Sequence, residues 1–100
     1  MKFEIFALPE CGICKNLKKM IDGAVAAGKL EGDVGYTIID PNSNSREQNE
    51  LLMVLDRFEI VPPALAVFTD AGDLVFAQGS ITSLRIISVA SLRRMIDAST

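Results

Sequence analysis

The pattern of apolar positions in the first half of the chain predicts two strands separated by a helix. Residues 2–8 alternate apolar with other side chains, which predicts a strand that ends at Pro9. From about Gly12, apolar residues recur every three or four positions, which predicts a helix that Gly28 is placed to end. Its apolar stripe consists of Ile13, Leu17, Met20, Ile21, Ala24 and Val25. Residues 35–40 predict the second strand.

The second half of the chain predicts a helix, a strand hairpin and a last helix. The segment Ser45-Arg46-Glu47-Gln48 is typical of a capping box at a helix start. The apolar face of that helix is expected to be Leu51, Leu52, Val54, Leu55 and Phe58. Residues 64–68 and 73–77 predict two strands joined by a turn. A last helix is predicted to open at residues 79–82 and run to about residue 98. Its inward residues are expected to be Val89, Leu92 and Ile96.

The predicted order of elements, βαβαββα, belongs to the α/β class. Two strands joined by a helical crossover must be parallel, and the crossover is right-handed. The terminal hairpin adds antiparallel strands. We therefore predict a mixed four-stranded sheet with helices on both faces, formed by one domain over residues 1–100.

Composition and charge exclude several classes of function. The chain has 49% hydrophobic and 23% charged residues, which is typical of a globular protein. Its net charge is −3 with scattered acids, so no nucleic-acid or membrane partner is expected. No apolar stretch approaches the roughly 20 residues of a membrane span, and the N-terminus lacks the pattern of a signal peptide. A cytoplasmic monomer is the resulting expectation.

The two cysteines are the residues in the chain that most clearly indicate chemistry. Cys11 and Cys14 are three positions apart, and the chain has no histidine. The absence of histidine excludes Cys-His and Ser-His-Asp catalytic arrangements and most zinc sites. A close cysteine pair indicates either redox chemistry or half of a metal site. Three interpretations stay open here: a dithiol electron carrier, a module that assembles a metal or iron–sulfur centre between two chains, and an interaction domain with inert cysteines.

The position of the pair between a strand and a helix favours redox chemistry. The thiolate is the nucleophile in disulfide exchange, and a free thiol with a pKa of about 8.5 is mostly protonated at neutral pH. A helix start directs unpaired N–H groups and the positive end of the helix dipole at Cys11. Lys15 adds positive potential there, whereas Glu10 opposes it. We therefore predict that Cys11 attacks a substrate disulfide and that Cys14 resolves the mixed disulfide.

Two segments of the chain resemble the thioredoxin-like superfamily. Cys11-Gly12-Ile13-Cys14-Lys15 resembles the thioredoxin motif CGPCK, with Ile13 in the place of proline. The approach over residues 6–11 is similar to the lead-in of glutaredoxins, and residues 63–68 resemble the thioredoxin stretch that begins with a cis-proline. The resemblance covers essentially the whole chain. It implies a small dithiol oxidoreductase of the glutaredoxin or thioredoxin type that reduces protein disulfides.

The same resemblance implies a set of residues around the disulfide. The implied cis-proline is Pro63 by its 16-position interval to Gly79, whereas the glutaredoxin Val-Pro pattern would make it Pro62. Residues expected to contact substrate are Pro9, Gly12, Ile13, Lys15, Val61, Pro62, Pro63, Gly79 and Ser80. Ile13 is expected to present an apolar edge for docking. No metal site is expected within the chain.

The resemblance also implies partners. Disulfide-containing proteins are the implied substrates, and no bound cofactor is implied. Glutathione or a protein of the thioredoxin-reductase type is the implied reductant. Leu8 occupies the position where glutaredoxins carry a basic residue that helps to hold glutathione. Weak use of glutathione is therefore expected.

Overall fold

The structure is a computed structural model that describes residues 1–83 and 88–99 of the chain. The elements follow the predicted order βαβαββα, and their bounds lie within about two residues of the predicted ones except at the last helix. They are β1 (Lys2–Ala7), α1 (Gly12–Ala26), β2 (Asp33–Ile38), α2 (Arg46–Arg57), β3 (Ala64–Phe68), β4 (Leu74–Gln78) and α3 (Val89–Ser99).

The four strands form one mixed sheet in the order β2-β1-β3-β4. β1 runs parallel to β2 and antiparallel to β3, and β3 pairs antiparallel with β4. Phe6, near the end of β1, lies opposite Ala64 at the start of β3. Because these strands are antiparallel, the end of β1 and the start of β3 lie at the same end of the sheet. This end carries the candidate site.

Alternation along the strands gives the sheet two buried faces. Phe3, Ile5 and Ala7 of β1 are fully buried in a cluster that includes Leu17 of α1 and Leu92 of α3. Phe6 of β1 enters a second cluster on the other face, which α2 covers. The buried members of that second cluster are Phe6, Ile39, Leu55, Ile60, Ala64 and Ala66. The predicted mixed sheet with helices on both faces is confirmed.

The start of β1 is held at the end of the sheet away from the cysteines. The N-terminal ammonium of Met1 donates to Asp70 Oδ1 at 2.6 Å, in the turn between β3 and β4. This cation holds the pKa of the exposed Asp70 carboxyl below its ordinary value, first through the hydrogen bond and then through its charge. The carbonyl of Met1 accepts from the N–H of Asp33 at 3.0 Å, so the first residue contacts both neighbouring parts of the sheet.

The prediction that the last helix opens at residues 79–82 is wrong. The N–H of Ser80 donates to the carbonyl of Val61 at 2.7 Å, and the N–H of Ile81 donates to that of Pro63 at 2.9 Å. The backbone there pairs with the chain before β3 and is not helical. The predicted helix residues 84–87 lie outside the described residues, and α3 begins at Val89.

Two details of α2 also differ from the sequence expectation. Ser45 caps the helix by accepting from the N–H of Gln48 at 3.1 Å, but the Gln48 side chain bonds the backbone of Asp40 instead of returning to Ser45. Val54 and Phe58 were expected on the apolar face, and both are about half exposed. Val54 points away from its buried neighbour Leu55, and Phe58 lies at the C-cap, where the helix has ended.

Candidate active site at the Cys11–Cys14 disulfide

The first cysteine lies where β1 gives way to α1. Cys11 is the N-cap residue of α1, with an extended backbone (φ −82°, ψ 101°). Its Sγ accepts a hydrogen bond from the backbone N–H of Cys14 at 3.2 Å. A cap residue normally supplies an oxygen for this purpose, so here a sulfur takes the place of the usual hydroxyl or carboxylate. The capping geometry therefore directs a backbone donor at the Cys11 sulfur.

The two sulfurs are joined and differ in accessibility. Cys11 and Cys14 form a disulfide with an S–S distance of 2.08 Å and a Cα–Cα distance of 5.3 Å. Cys14 is 1% exposed and belongs to the core cluster between the sheet and α1, whereas Cys11 is half-buried at its margin. A thiol or disulfide of another molecule can therefore reach Cys11 more easily than Cys14.

The charges near Cys11 favour an anion on its sulfur. The first turn of α1 contains no acidic residue, so nothing there offsets the positive end of the helix dipole. Lys15 is exposed one turn further along. Glu10 precedes Cys11 with a left-handed backbone (φ 58°) and is exposed, so solvent screens its opposing charge. When the disulfide is reduced, the dipole, the Cys14 N–H and Lys15 all stabilise a Cys11 thiolate.

A second segment lies at the same end of the sheet as the disulfide. The peptide bond between Pro62 and Pro63 is cis, so Pro63 is the cis-proline that the spacing favoured. Continuing the β1–β3 register beyond Phe6 and Ala64 brings Pro62 level with Leu8, the residue after β1. The Val61-Pro62-Pro63 segment therefore lies beside the chain that leads to Cys11.

Residues 79–81 hold this proline segment in place. In addition to the two backbone bonds from Ser80 and Ile81, Gly79 approaches Val61 closely. A Cβ at Gly79 would lie 2.8 Å from the Val61 nitrogen, which is closer than real contacts allow, so a larger residue would displace the segment. Ile81 is buried in the same cluster as Cys14. The supporting segment is thus anchored in the core beneath the disulfide.

Comparison with solved structures identifies the architecture. The chain is similar to thioredoxin 1 from the thermophilic eubacterium Thermosipho africanus, with a TM-score of 0.61 over 99% of this chain and 98% of that one, at 14% identity. It is also similar to a DsbH oxidoreductase, with a TM-score of 0.51 over 98% of this chain and 70% of that one, at 11% identity. The chain has a thioredoxin-like fold. No family model matches the sequence, and neither does any curated protein.

Within the thioredoxin-like fold, the residues predicted to contact substrate fall into two groups. Gly12, Ile13 and Lys15 belong to the start of α1, and Pro9 lies in the turn before it. The second group is brought together by the bonds between residues 61–63 and 79–81 and consists of Val61, Pro62, Pro63, Gly79 and Ser80. Ile13 is half-buried and packs against the core, so it presents only part of the expected apolar edge.

Sequence reasoning missed the role of Ile81 as a support of the site. In a helix that opened at residue 79, the N–H groups of residues 80 and 81 would have no partner within the helix. In the thioredoxin-like fold of this chain, the N–H groups of Ser80 and Ile81 are already bonded to the carbonyls of residues 61 and 63. The signal available in the sequence was Gly79, which directly follows a strand pattern and marks a close backbone approach.

Residues 1–83 and 88–99 contain no group of three or more His, Cys, Asp or Glu residues placed to hold a metal ion. None of the helices in these ranges is both long and apolar enough to span a bilayer.

Proposed function

We propose that this chain is a thiol–disulfide oxidoreductase that reduces protein disulfides through Cys11 and Cys14. One observation carries the proposal: a partly exposed cysteine at a helix cap, whose sulfur is bonded to that of the buried Cys14 and accepts from the Cys14 N–H. The thioredoxin-like fold supports it, because in that fold the pair lies between β1 and α1, at the end of a central strand. The two sulfurs therefore have different roles.

The reaction starts from the reduced pair. The Cys11 thiolate attacks one sulfur of the substrate disulfide, an S–S bond forms between Cys11 and the substrate, and the substrate's own S–S bond breaks. The departing substrate thiolate takes up a proton. Cys14 then loses its proton and attacks Cys11 Sγ, which forms the Cys11–Cys14 disulfide and releases the second substrate thiol. The substrate gains two electrons and the pair loses two.

Regeneration needs a dithiol or two monothiols as the electron source. The proposed sources are glutathione and a protein of the thioredoxin-reductase type, which would reduce the pair by attack at the accessible Cys11. The surface beside the disulfide is apolar: Leu8 and Val61 are 36% and 57% exposed. Pro62 lies level with Leu8 and next to Val61, and we call these three residues the apolar rim. The apolar rim is better matched to a protein segment than to the charged tripeptide glutathione. We therefore expect protein disulfides to be the preferred substrates.

The assignment of roles is tested by trapping the mixed disulfide. Without Cys14 the intermediate cannot be resolved, so reduced Cys14→Ser should accumulate a covalent complex with a disulfide-bonded protein such as insulin. The double variant Cys11→Ser/Cys14→Ser is the matched control and should form none. Non-reducing mass spectrometry measures the complex, and a thiol reductant should dissolve it.

Two outcomes would contradict the proposal. The first is a Cys14→Ser variant that forms no complex although its Cys11 thiol is titratable. The second is a wild-type protein that, supplied with excess dithiothreitol, reduces insulin no faster than dithiothreitol alone.

A further inference from the structure

The outward face of α1 carries two lysines close to the disulfide. Lys15 and Lys19 are one helical turn apart and both exposed; we call them the lysine face. The buried side of the same helix is formed by Cys14, Leu17, Ile21 and Ala24, which point in the opposite direction. Neither lysine of the lysine face has an ion-pair partner within residues 1–83 and 88–99.

The lysine face contradicts the local electrostatic preferences of a helix. Like charges at positions i and i+4 destabilise a helix slightly. Cations are also favoured near the C-terminus, yet the last turn of α1 has none and its lysines lie in the first half. The nearby Lys18 is paired with Asp22 at 2.6 Å, so Asp22 is engaged by a third lysine. Departures of this kind from local preference are expected at functional surfaces.

The lysine face is continuous with the reactive sulfur. Side chains on a helix lean toward its N-terminus, so Lys15 and Lys19 lean toward Cys11. Lys19 follows Cys11 by eight positions, which is about 12 Å along the helix axis. A protein whose disulfide reaches Cys11 therefore also covers these two lysines.

We propose that the lysine face binds carboxylates of the disulfide-containing protein substrate, beside the disulfide that is reduced. The inference rests on the proposed function and adds the chemistry of the substrate: an acidic segment next to the reactive cystine. Charge complementarity selects this occupant. The chain has a net charge of −3, but α1 carries three lysines against one aspartate, so an acidic partner is repelled by the molecule as a whole and attracted at α1. The acidic segment is thereby oriented onto the helix that carries Cys11.

The residue immediately before Cys11 has the opposite charge, which makes the selection directional. Glu10 is exposed immediately before Cys11, in the turn after β1. A carboxylate of the substrate on that side would be repelled, whereas one over α1 would be attracted. Substrate acids are therefore expected on the α1 side of the cystine.

The test uses two synthetic disulfide-bonded peptides that differ only in charge. One carries several glutamates on one side of the cystine, and the other carries glutamines at the same positions. The second-order rate constant for reduction by the reduced protein is measured at about 0.01 M salt, where the Debye length is about 30 Å, and at about 1 M, where it is about 3 Å. We expect the glutamate peptide to react about tenfold faster at low salt and at nearly the same rate as the glutamine peptide at high salt.

Lys19→Glu should remove most of that tenfold preference and leave reduction of the glutamine peptide unchanged. The matched control is Lys29→Glu, which makes the same change in net charge at an exposed position beyond the far end of α1. It should keep the preference. Circular dichroism and unfolding of both variants show whether α1 is intact.

The outcomes separate this inference from the proposed function. Equal rates for both peptides at low salt, or a preference that Lys19→Glu and Lys29→Glu reduce equally, would overturn the docking inference while the oxidoreductase activity stands. Reduction of neither peptide by the wild-type protein would overturn both.

Discussion

The first two helices begin with the same capping geometry and different chemistry. In α2 the Ser45 hydroxyl accepts from the N–H of Gln48 at 3.1 Å, and in α1 the Cys11 sulfur accepts from the N–H of Cys14 at 3.2 Å. In each case the cap residue accepts from the N–H three positions ahead. The acceptor atom is an oxygen with no further reaction in one helix and a redox-active sulfur in the other.

The charges at the helix ends extend this contrast. α2 has Glu47 in its first turn and Arg57 in its last, which is the arrangement that complements the helix dipole. α1 has no acid in its first turn and no base in its last. The ends of α2 are thus arranged for stability, whereas the start of α1 leaves its positive potential uncompensated. That potential is then available to a thiolate and to a substrate.

Burial explains how α1 tolerates this arrangement. α1 buries four residues in the main core and contacts both β1 and α3. α2 buries only Leu55 among its twelve residues. Tertiary packing supplies most of the stability of a helix, so α1 needs its terminal charges less than α2 does. Three predictions test the contrast between the two helices.

The largest effect is expected at the cap of α1. Cys11→Ser should lower disulfide exchange to the uncatalysed rate because the nucleophile is lost. Serine is a good N-cap residue, so the free energy of unfolding, compared with that of the reduced wild type, should change by only a few tenths of a kcal/mol. Insulin reduction and urea unfolding under reducing conditions measure the two quantities. A large loss of stability would show that the sulfur has a structural role that a hydroxyl cannot fill.

A smaller effect is expected at the cap of α2. Ser45→Ala removes the acceptor for the Gln48 N–H and should lower the free energy of unfolding by about 1 kcal/mol. The rate of disulfide exchange should be unchanged, because α2 packs on the face of the sheet opposite to α1 and the disulfide. Ser45→Gly is the comparison variant, since glycine at an N-cap costs only a few tenths of a kcal/mol. A Ser45→Ala variant as stable as the wild type would argue against a capping role for the hydroxyl.

The smallest effect is expected from reversing the charge of Lys15 near the start of α1. Lys15→Glu places an acid four positions after the cap of α1, and by the dipole argument it should stabilise α1 slightly while disfavouring the Cys11 thiolate. An interaction of about 0.3–1 kcal/mol corresponds to alkylation of Cys11 at neutral pH that is about two- to fivefold slower. The rate with iodoacetamide, a neutral reagent, measures this without a contribution from docking. Faster alkylation would contradict the electrostatic account.

Much of the fold was predictable from the sequence because it depends on local patterns. Alternation in residues 2–8 and 64–68 and helical periodicity after Gly12 specify which segments form strands and helices. The crossover helix α1 specifies that β1 and β2 are parallel, and the turn after β3 specifies that β3 and β4 are antiparallel. The direction of β3 was not specified in this way, because β2 and β3 are joined by α2 and yet run in opposite directions. The placement of Cys11 between strand and helix follows from the same local reasoning, and so does the identity of the reactive pair. By itself, the sequence determined the order of the elements and the two sulfurs.

Contacts between distant segments decided the rest of the site. The bonds from Ser80 and Ile81 to residues 61 and 63 join segments about 18 positions apart, and no local pattern around residue 80 specifies them. The packing of Cys14 into the core, with Cys11 left at its margin, likewise depends on where α1 meets the sheet. Only the tertiary structure decided these features, because each depends on contacts between residues that are distant in the sequence.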